Sequence, residues 1–127
     1  MTVFACYTYL RTGKADREIR TRKRPAAGTP VSAASGTALA TGVKTKNGYL
    51  GMGPDGKPLR NMAEMAKAAG KKVGIVTSTA ANHATPGAFE AHQMDRGMYY
   101  EISQDMIANG FDFYGGAALY NEERTYD

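Results

Sequence analysis

Ser32 heads a run of residues almost without bulk, Ser32-Ala33-Ala34-Ser35-Gly36-Thr37-Ala38-Leu39-Ala40-Thr41-Gly42. A serine hydroxyl at a helix N-terminus lies beside free N–H groups and the positive end of the helix dipole, which suits a phosphate anion. The same hydroxyl also serves as an ordinary N-cap. Arg96, in Gln93-Met94-Asp95-Arg96-Gly97, can grip two phosphate oxygens in a fork, or simply face solvent. His83 and Thr85 stand at a strand-to-helix junction, where active groups of parallel α/β sheets gather. Their imidazole and hydroxyl either face a metal or cap the helix. His92 follows His83 by nine residues, which is no zinc-ligand spacing, and reads as a surface or partly packed residue.

A loop at 51–57 matches two nucleotide-binding patterns. Gly51, Gly53 and Gly56 spell GxGxxG, and Gly51, Gly56 and Lys57 spell GxxxxGK. Both patterns need a strand before and a helix directly after. Asn47-Gly48 breaks the stretch before it, Pro58 stands where a magnesium-binding hydroxyl belongs, and Pro54 removes an N–H from any phosphate cradle. The loop therefore reads as a surface connection.

The elements that must position these residues follow from periodicity. The small-residue run predicts a helix from Ser32, as N-cap, to a stop at Gly42, able to pack its backbone close to a neighbour. Leu59, Met62, Ala63, Ala66 and Ala69 recur at helical spacing, with Gly70 past the end. Val73 to Ser78 reads as a buried strand. Thr85-Pro86 reads as N-cap plus first helical residue. Met98, Ile102 and Met106 mark another helical face, closed by Asn109-Gly110. Phe111 to Tyr114 is a second strand, ended by Gly115-Gly116. Strand, helical crossover, strand is a βαβ unit, which predicts an α/β fold with a parallel sheet.

The length, 127 residues, bounds the chain at one ordinary domain. No run of 18 apolar residues is present to span a bilayer. The lone Cys6 cannot form an internal disulfide, and two histidines argue against a self-contained zinc site. The pI of about 9.2 invites a nucleic-acid reading. The charge is local, however: residues 1–24 carry net +5 and residues 25–127 net −1. The basic segment lacks a signal peptide's order, since no positive charge precedes its apolar stretch. It reads as a disordered or poorly packed tail, with a nucleic-acid or membrane-surface arm as the alternative, nucleic acid being gripped through residues 11–24.

Taken in order, these pieces resemble the alkaline phosphatases. The residues that carry the resemblance are Ser32-Ala33-Ala34-Ser35-Gly36-Thr37-Ala38, Thr41-Gly42-Val43-Lys44-Thr45 with Asn47-Gly48, and Met65-Ala66-Lys67-Ala68-Ala69-Gly70. They continue with His83-Ala84-Thr85-Pro86, Ala91-His92, Arg96, Gly110-Phe111-Asp112 and Gly115-Gly116, ending near Leu119. The resemblance implies a metal-dependent phosphate monoester hydrolase that works through a phosphoserine. Ser32 matches the phosphorylated serine and Arg96 the arginine that holds two phosphate oxygens. Thr85 matches a magnesium ligand, and His83 a position near the magnesium. Zn2+ and Mg2+ are the implied cofactors, phosphate monoesters the substrates, a homodimer the assembly, and the periplasm or the cell exterior the location. Nucleic acid is then an unlikely partner.

The departures shape the expectation. Val31 replaces the aspartate that directly precedes the family's nucleophile and helps orient the arginine. Nothing in residues 1–31 matches the family's upstream metal-binding strand, and most zinc ligands lie further along the family's sequence. The expectation is a basic, non-matching segment over 1–31 and a partial alkaline phosphatase domain over 32–127, truncated and inactive alone.

Overall fold

The computed structural model describes the backbone of residues 2–5 and the whole of residues 32–120. Along these the chain forms β1 (Thr2–Ala5), α1 (Ser32–Thr41), α2 (Met62–Ala68), β2 (Val73–Val76), α3 (Ala84–Glu90), α4 (Tyr99–Asn109) and β3 (Phe113–Gly115). The strands make one parallel sheet in the order β1-β2-β3, with Thr2 opposite Val73 and Gly74 opposite Phe113. Parallel neighbours need a long crossover. Helices α3 and α4 supply it between β2 and β3, so the predicted α/β unit is present.

Asp112 locks the start of that unit. Its carboxylate accepts from the Val73 N–H at 2.9 Å and from the Nζ atoms of Lys67 and Lys72 at 2.9 and 3.1 Å. Its own N–H donates to the Val73 carbonyl. The Val73 bond first, then the two lysines, hold its carboxyl well below the usual range. Helix α2 starts at a capping box: Asn61 Oδ1 accepts from the Glu64 N–H and Glu64 Oε2 accepts from the Asn61 N–H. Leu59, expected in this helix, therefore precedes it.

The core gathers Leu50, Val73, Ile75, Phe89, Ile102 and Met106 between the helices and the sheet. Helix α1 joins it through small residues, as expected. Ala33, Ala34, Gly36, Thr37 and Ala40 are buried, and a Cβ placed on Gly36 would lie 2.9 Å from that of Ala88 on α3. Only a glycine there lets the two helices come so near.

Other boundaries shift for identifiable reasons. Strand β2 ends at Val76 because Thr77 Oγ1 accepts from the Thr79 N–H and turns the chain. Strand β3 begins at Phe113, after Asp112 has been spent on its bonds to Val73. His83 stands at the N-cap position of α3, so Thr85 and Pro86 lie within its first turn, where proline's missing N–H costs nothing. Ser32 opens α1 as its first helical residue, one step from the expected cap. The reading that left residues 1–31 without a strand is corrected at Thr2–Ala5: their types suit a strand, and β2 offers an edge to pair with. Residues 6–31, including the basic stretch 11–24, lie outside the described residues. No helix among the described residues is long and apolar enough to cross a membrane.

Candidate active site

The turn after β2 leads through Asn82 to His83, at the head of α3. Asn82 is fully buried and fully engaged. Its Nδ2 donates to Ser103 Oγ and to the carbonyls of Tyr99 and Tyr120, and its Oδ1 accepts from the Tyr120 N–H. One side chain thus ties the β2–α3 turn to α4 and to the segment after β3. Asn82→Ala is expected to cost about 2–3 kcal/mol, because its buried partners lose their bonds without gaining water. Urea denaturation midpoints measure this, and an unchanged midpoint refutes it.

Held in this way, Tyr120 sets its ring edge-on to His83, 5.8 Å between centroids. On its other side His83 Nε2 accepts from Arg96 Nη2 at 3.2 Å. Arginine can only donate, so the Nε2 lone pair is free of a proton. Burial first, then the Arg96 charge, lower the His83 pKa from its ordinary value. The imidazole stays neutral, and the guanidinium is the positive charge of this pair. The His83 side chain makes no capping bond to α3, so of its two sequence readings capping is not the one realised. Its Nδ1 is buried without a hydrogen-bond partner.

Thr85 lies two residues on, in the first turn of α3, and its carbonyl faces Gly36 of α1 at 3.5 Å from an added Cβ. Of the four residues singled out in the sequence, His83 and Arg96 therefore touch. Thr85 sits on the same helix start, and Ser32 begins the helix docked against that helix. The orphaned Nδ1 of His83 and the Thr85 hydroxyl are too few donors for a metal cage. Magnesium takes six oxygen-rich ligands and structural or catalytic zinc at least three protein ligands. Among the described residues, no group of three His, Cys, Asp or Glu side chains converges. These residues alone therefore do not fit either ion.

The glycine loop is no phosphate cradle. Its N–H groups are already used: Gly51 donates to Thr37 Oγ1, Gly53 to the Lys57 carbonyl, Gly56 to the Gly53 carbonyl and Lys57 to Asp55 Oδ1. Gly51 instead lets the loop pass against α3's end. It holds φ +59°, and a Cβ there would meet the Ala91 carbonyl oxygen at 2.2 Å.

His92 is the residue that sequence reading undervalued. Its Nδ1 lies 2.9 Å from the Gly51 carbonyl oxygen and its Nε2 2.6 Å from Glu64 Oε1. Its backbone N–H donates to Asp105 Oδ2. These partners are 41, 28 and 13 residues away in sequence, and no local pattern announces them.

A family model described as alkaline phosphatase matches residues 8–122. The chain belongs to the alkaline phosphatase family. Alkaline phosphatase 4 of Bacillus subtilis (strain 168) is 46% identical over 80 residues, covering 63% of this chain and 16% of that protein. A cold-active alkaline phosphatase from a psychrophilic Shewanella superposes with a TM-score of 0.67 at 40% identity, over 71% of this chain and 23% of that one. A mutant of the TAB5 alkaline phosphatase, solved with Mg bound, shares the fold at a TM-score of 0.69 and 24% identity, over 88% of this chain. The chain spans about a sixth of the Bacillus relative and about a quarter of the Shewanella one. The match of the alkaline phosphatase model also begins ahead of Ser32, inside the segment that sequence reading set apart.

Proposed function

We propose that this alkaline phosphatase chain carries the nucleophile and phosphate-binding part of a phosphate monoester hydrolase. The observation that supports it most is the Arg96–His83 contact at the head of α3, on the helix against which the Ser32 helix is docked. A neutral imidazole accepting one Arg96 N–H leaves the others to fork onto two phosphoryl oxygens. The α1 N-terminus adds dipole stabilisation where negative charge spreads during transfer. Ser32 Oγ is the proposed attacking atom: it forms a bond to phosphorus as the ester P–O bond breaks and the alcohol leaves, and water then hydrolyses the phosphoserine to the free serine and inorganic phosphate. Thr85 is the proposed contribution to a magnesium site whose other ligands are not among the described residues, and zinc is the second implied ion. A serine hydroxyl at its free pKa is a weak nucleophile. The 127-residue chain is therefore expected to be inactive or nearly so by itself. An exported, homodimeric enzyme is the setting that the family implies; cell fractionation and sedimentation test those two points.

The decisive experiment replaces the matching segment of the full-length Shewanella relative with residues 32–119 of this chain. The chimera is expected to hydrolyse p-nitrophenyl phosphate and to carry a phosphoryl adduct on Ser32 detectable by mass spectrometry. Ser32→Ala is expected to lower kcat by at least about 1,000-fold. Undiminished activity in that variant sinks the assignment of Ser32. Zinc-dependent hydrolysis by the isolated chain, lost in Ser32→Ala, sinks the expectation of inactivity.

A further inference from the structure

Both ring nitrogens of His92 face acceptors. The Gly51 carbonyl can only accept, which places a proton on Nδ1. Nε2 then meets Glu64 Oε1 at 2.6 Å, a separation that two lone pairs do not tolerate, so a second proton lies between them. Glu64 accepts from the Asn61 N–H with its other oxygen, so both of its oxygens are held in place. The ring is an imidazolium pinned between α2 and the 50–58 loop.

What it pins is the segment that carries Arg96. Beside His92, Gln93 exchanges both backbone bonds with Leu50, and its Nε2 shares Asp105 with the His92 N–H. From this anchorage the chain runs into a tight turn in which Asp95 accepts from the N–H groups of Gly97 and Met98. Arg96 sits inside that turn, four residues past His92. Its guanidinium reaches back to His83, and its backbone is held between the His92 anchorage on one side and the start of α4 on the other.

We propose that His92, as an imidazolium clasped by Glu64 and the Gly51 carbonyl, is the positioning residue for Arg96, and that its deprotonation loosens the Arg96 turn. The inference rests on the phosphate-binding reading of Arg96 for its functional meaning. The charged groups that face His92 are Glu64 of α2 and Asp105 of α4, both acidic; the loop contributes the uncharged Gly51 carbonyl. Burial works against the charged ring, but the Gly51 and Glu64 bonds and the two carboxylates outweigh it and raise the pKa above its ordinary value. The clasp is complete below the ordinary histidine range and is lost as pH rises through the higher folded value.

The test follows the ring signals of both histidines and the amide signals of Arg96 and Gly97 by NMR, on the intact chain, from about pH 5 to about pH 9. His83 touches Arg96 directly, but it titrates below free histidine and His92 above it, so the two effects separate along the pH axis. The Arg96 and Gly97 amides are expected to share the His92 midpoint. Glu64→Gln keeps an acceptor at the third helical position for the capping box but removes the charge. In that variant both midpoints are expected to fall together, and inorganic phosphate near pH 7 is expected to bind roughly tenfold more weakly. Amides that stay flat through the His92 titration, or a His92 midpoint that moves without them, overturn the proposal. If Glu64→Gln does not fold, the wild-type co-titration decides, with Asp105→Asn as the second charge removal. If the amides co-titrate while inorganic phosphate moves no Arg96 signal at any pH, the positioning stands and the phosphate reading of Arg96 is what fails.

Discussion

Gly51→Ala is expected to abolish the folded state, or to leave it at least about 4 kcal/mol less stable. The added Cβ would lie 2.2 Å from the Ala91 carbonyl oxygen and 2.8 Å from His92 Nδ1, at a backbone angle of φ +59°. The left-handed conformation alone costs an L-residue about 1–2 kcal/mol. The clash is worse, because a carbonyl oxygen at the end of α3 cannot rotate aside as a side chain does. Relief requires separating the loop from residues 91–93, which breaks the paired Leu50–Gln93 backbone bonds and the His92 bond to Gly51. A total near 4 kcal/mol is a large fraction of the roughly 5–15 kcal/mol that holds an ordinary domain together. Gly53→Ala is the control. Its nearest obstacle is the Asp55 carboxylate at 2.7 Å, the movable end of a side chain, so its cost is smaller. Circular dichroism melts of the two variants measure the difference. Equal melting temperatures would remove the loop-contact account of Gly51.

Glu90→Gln is expected to make the protein more stable at alkaline pH and to flatten its pH profile. Glu90 has no exposed surface, and neither carboxyl oxygen has a hydrogen-bond partner. Burial pushes its pKa up to about 9, from 4.5 in an exposed chain. Between those values the folded state holds a proton that the unfolded state has released. Stability is therefore greatest below about pH 4.5 and declines by about 1.4 kcal/mol per unit until the folded group ionises. Integrated to pH 9, the loss is on the order of 5 kcal/mol. Tyr114 is the titratable group set against Glu90; burial and the Glu90 charge raise its pKa further, so it stays neutral over this range. Glutamine has the same shape and no charge to lose. Urea midpoints of the two proteins are expected to lie close together near pH 5 and to diverge steadily toward pH 9. Parallel profiles would show that Glu90 is hydrated or paired in solution and would refute the account.

The two glycine and glutamate predictions also mark where sequence reading stops. Helices α1, α2 and α4 and the β2–β3 crossover follow from local spacing, because each depends on which face of one element is apolar. The positions of Ser32, His83, Thr85 and Arg96 were readable as a set only through their order along the chain. Gly51 reads in the sequence as part of a surface connection, yet it is buried, because its actual constraint, the end of α3, lies 40 residues further along. Glu90 gave no signal at all. It follows Ala88 and Phe89 on a helix whose residues are almost all buried, and a glutamate in the last turn of a short helix ordinarily reaches water. The strand at Thr2–Ala5 was missed because its partner edge belongs to β2, some 70 residues away.

The face that α1 turns toward α3 has a consequence for how sharply Ser32 is placed. Alanine and glycine have no rotamers to freeze, so seating Ala33, Gly36 and Ala40 surrenders almost no side-chain entropy. A leucine-rich face could settle into several alternative interdigitations of nearly equal energy. A face of methyl groups and bare backbone has few, because sliding or rolling by a fraction of an ångström turns contact into collision. Against α3, the helix that begins at Ser32 is thus located by shape rather than by grip, with essentially one seat.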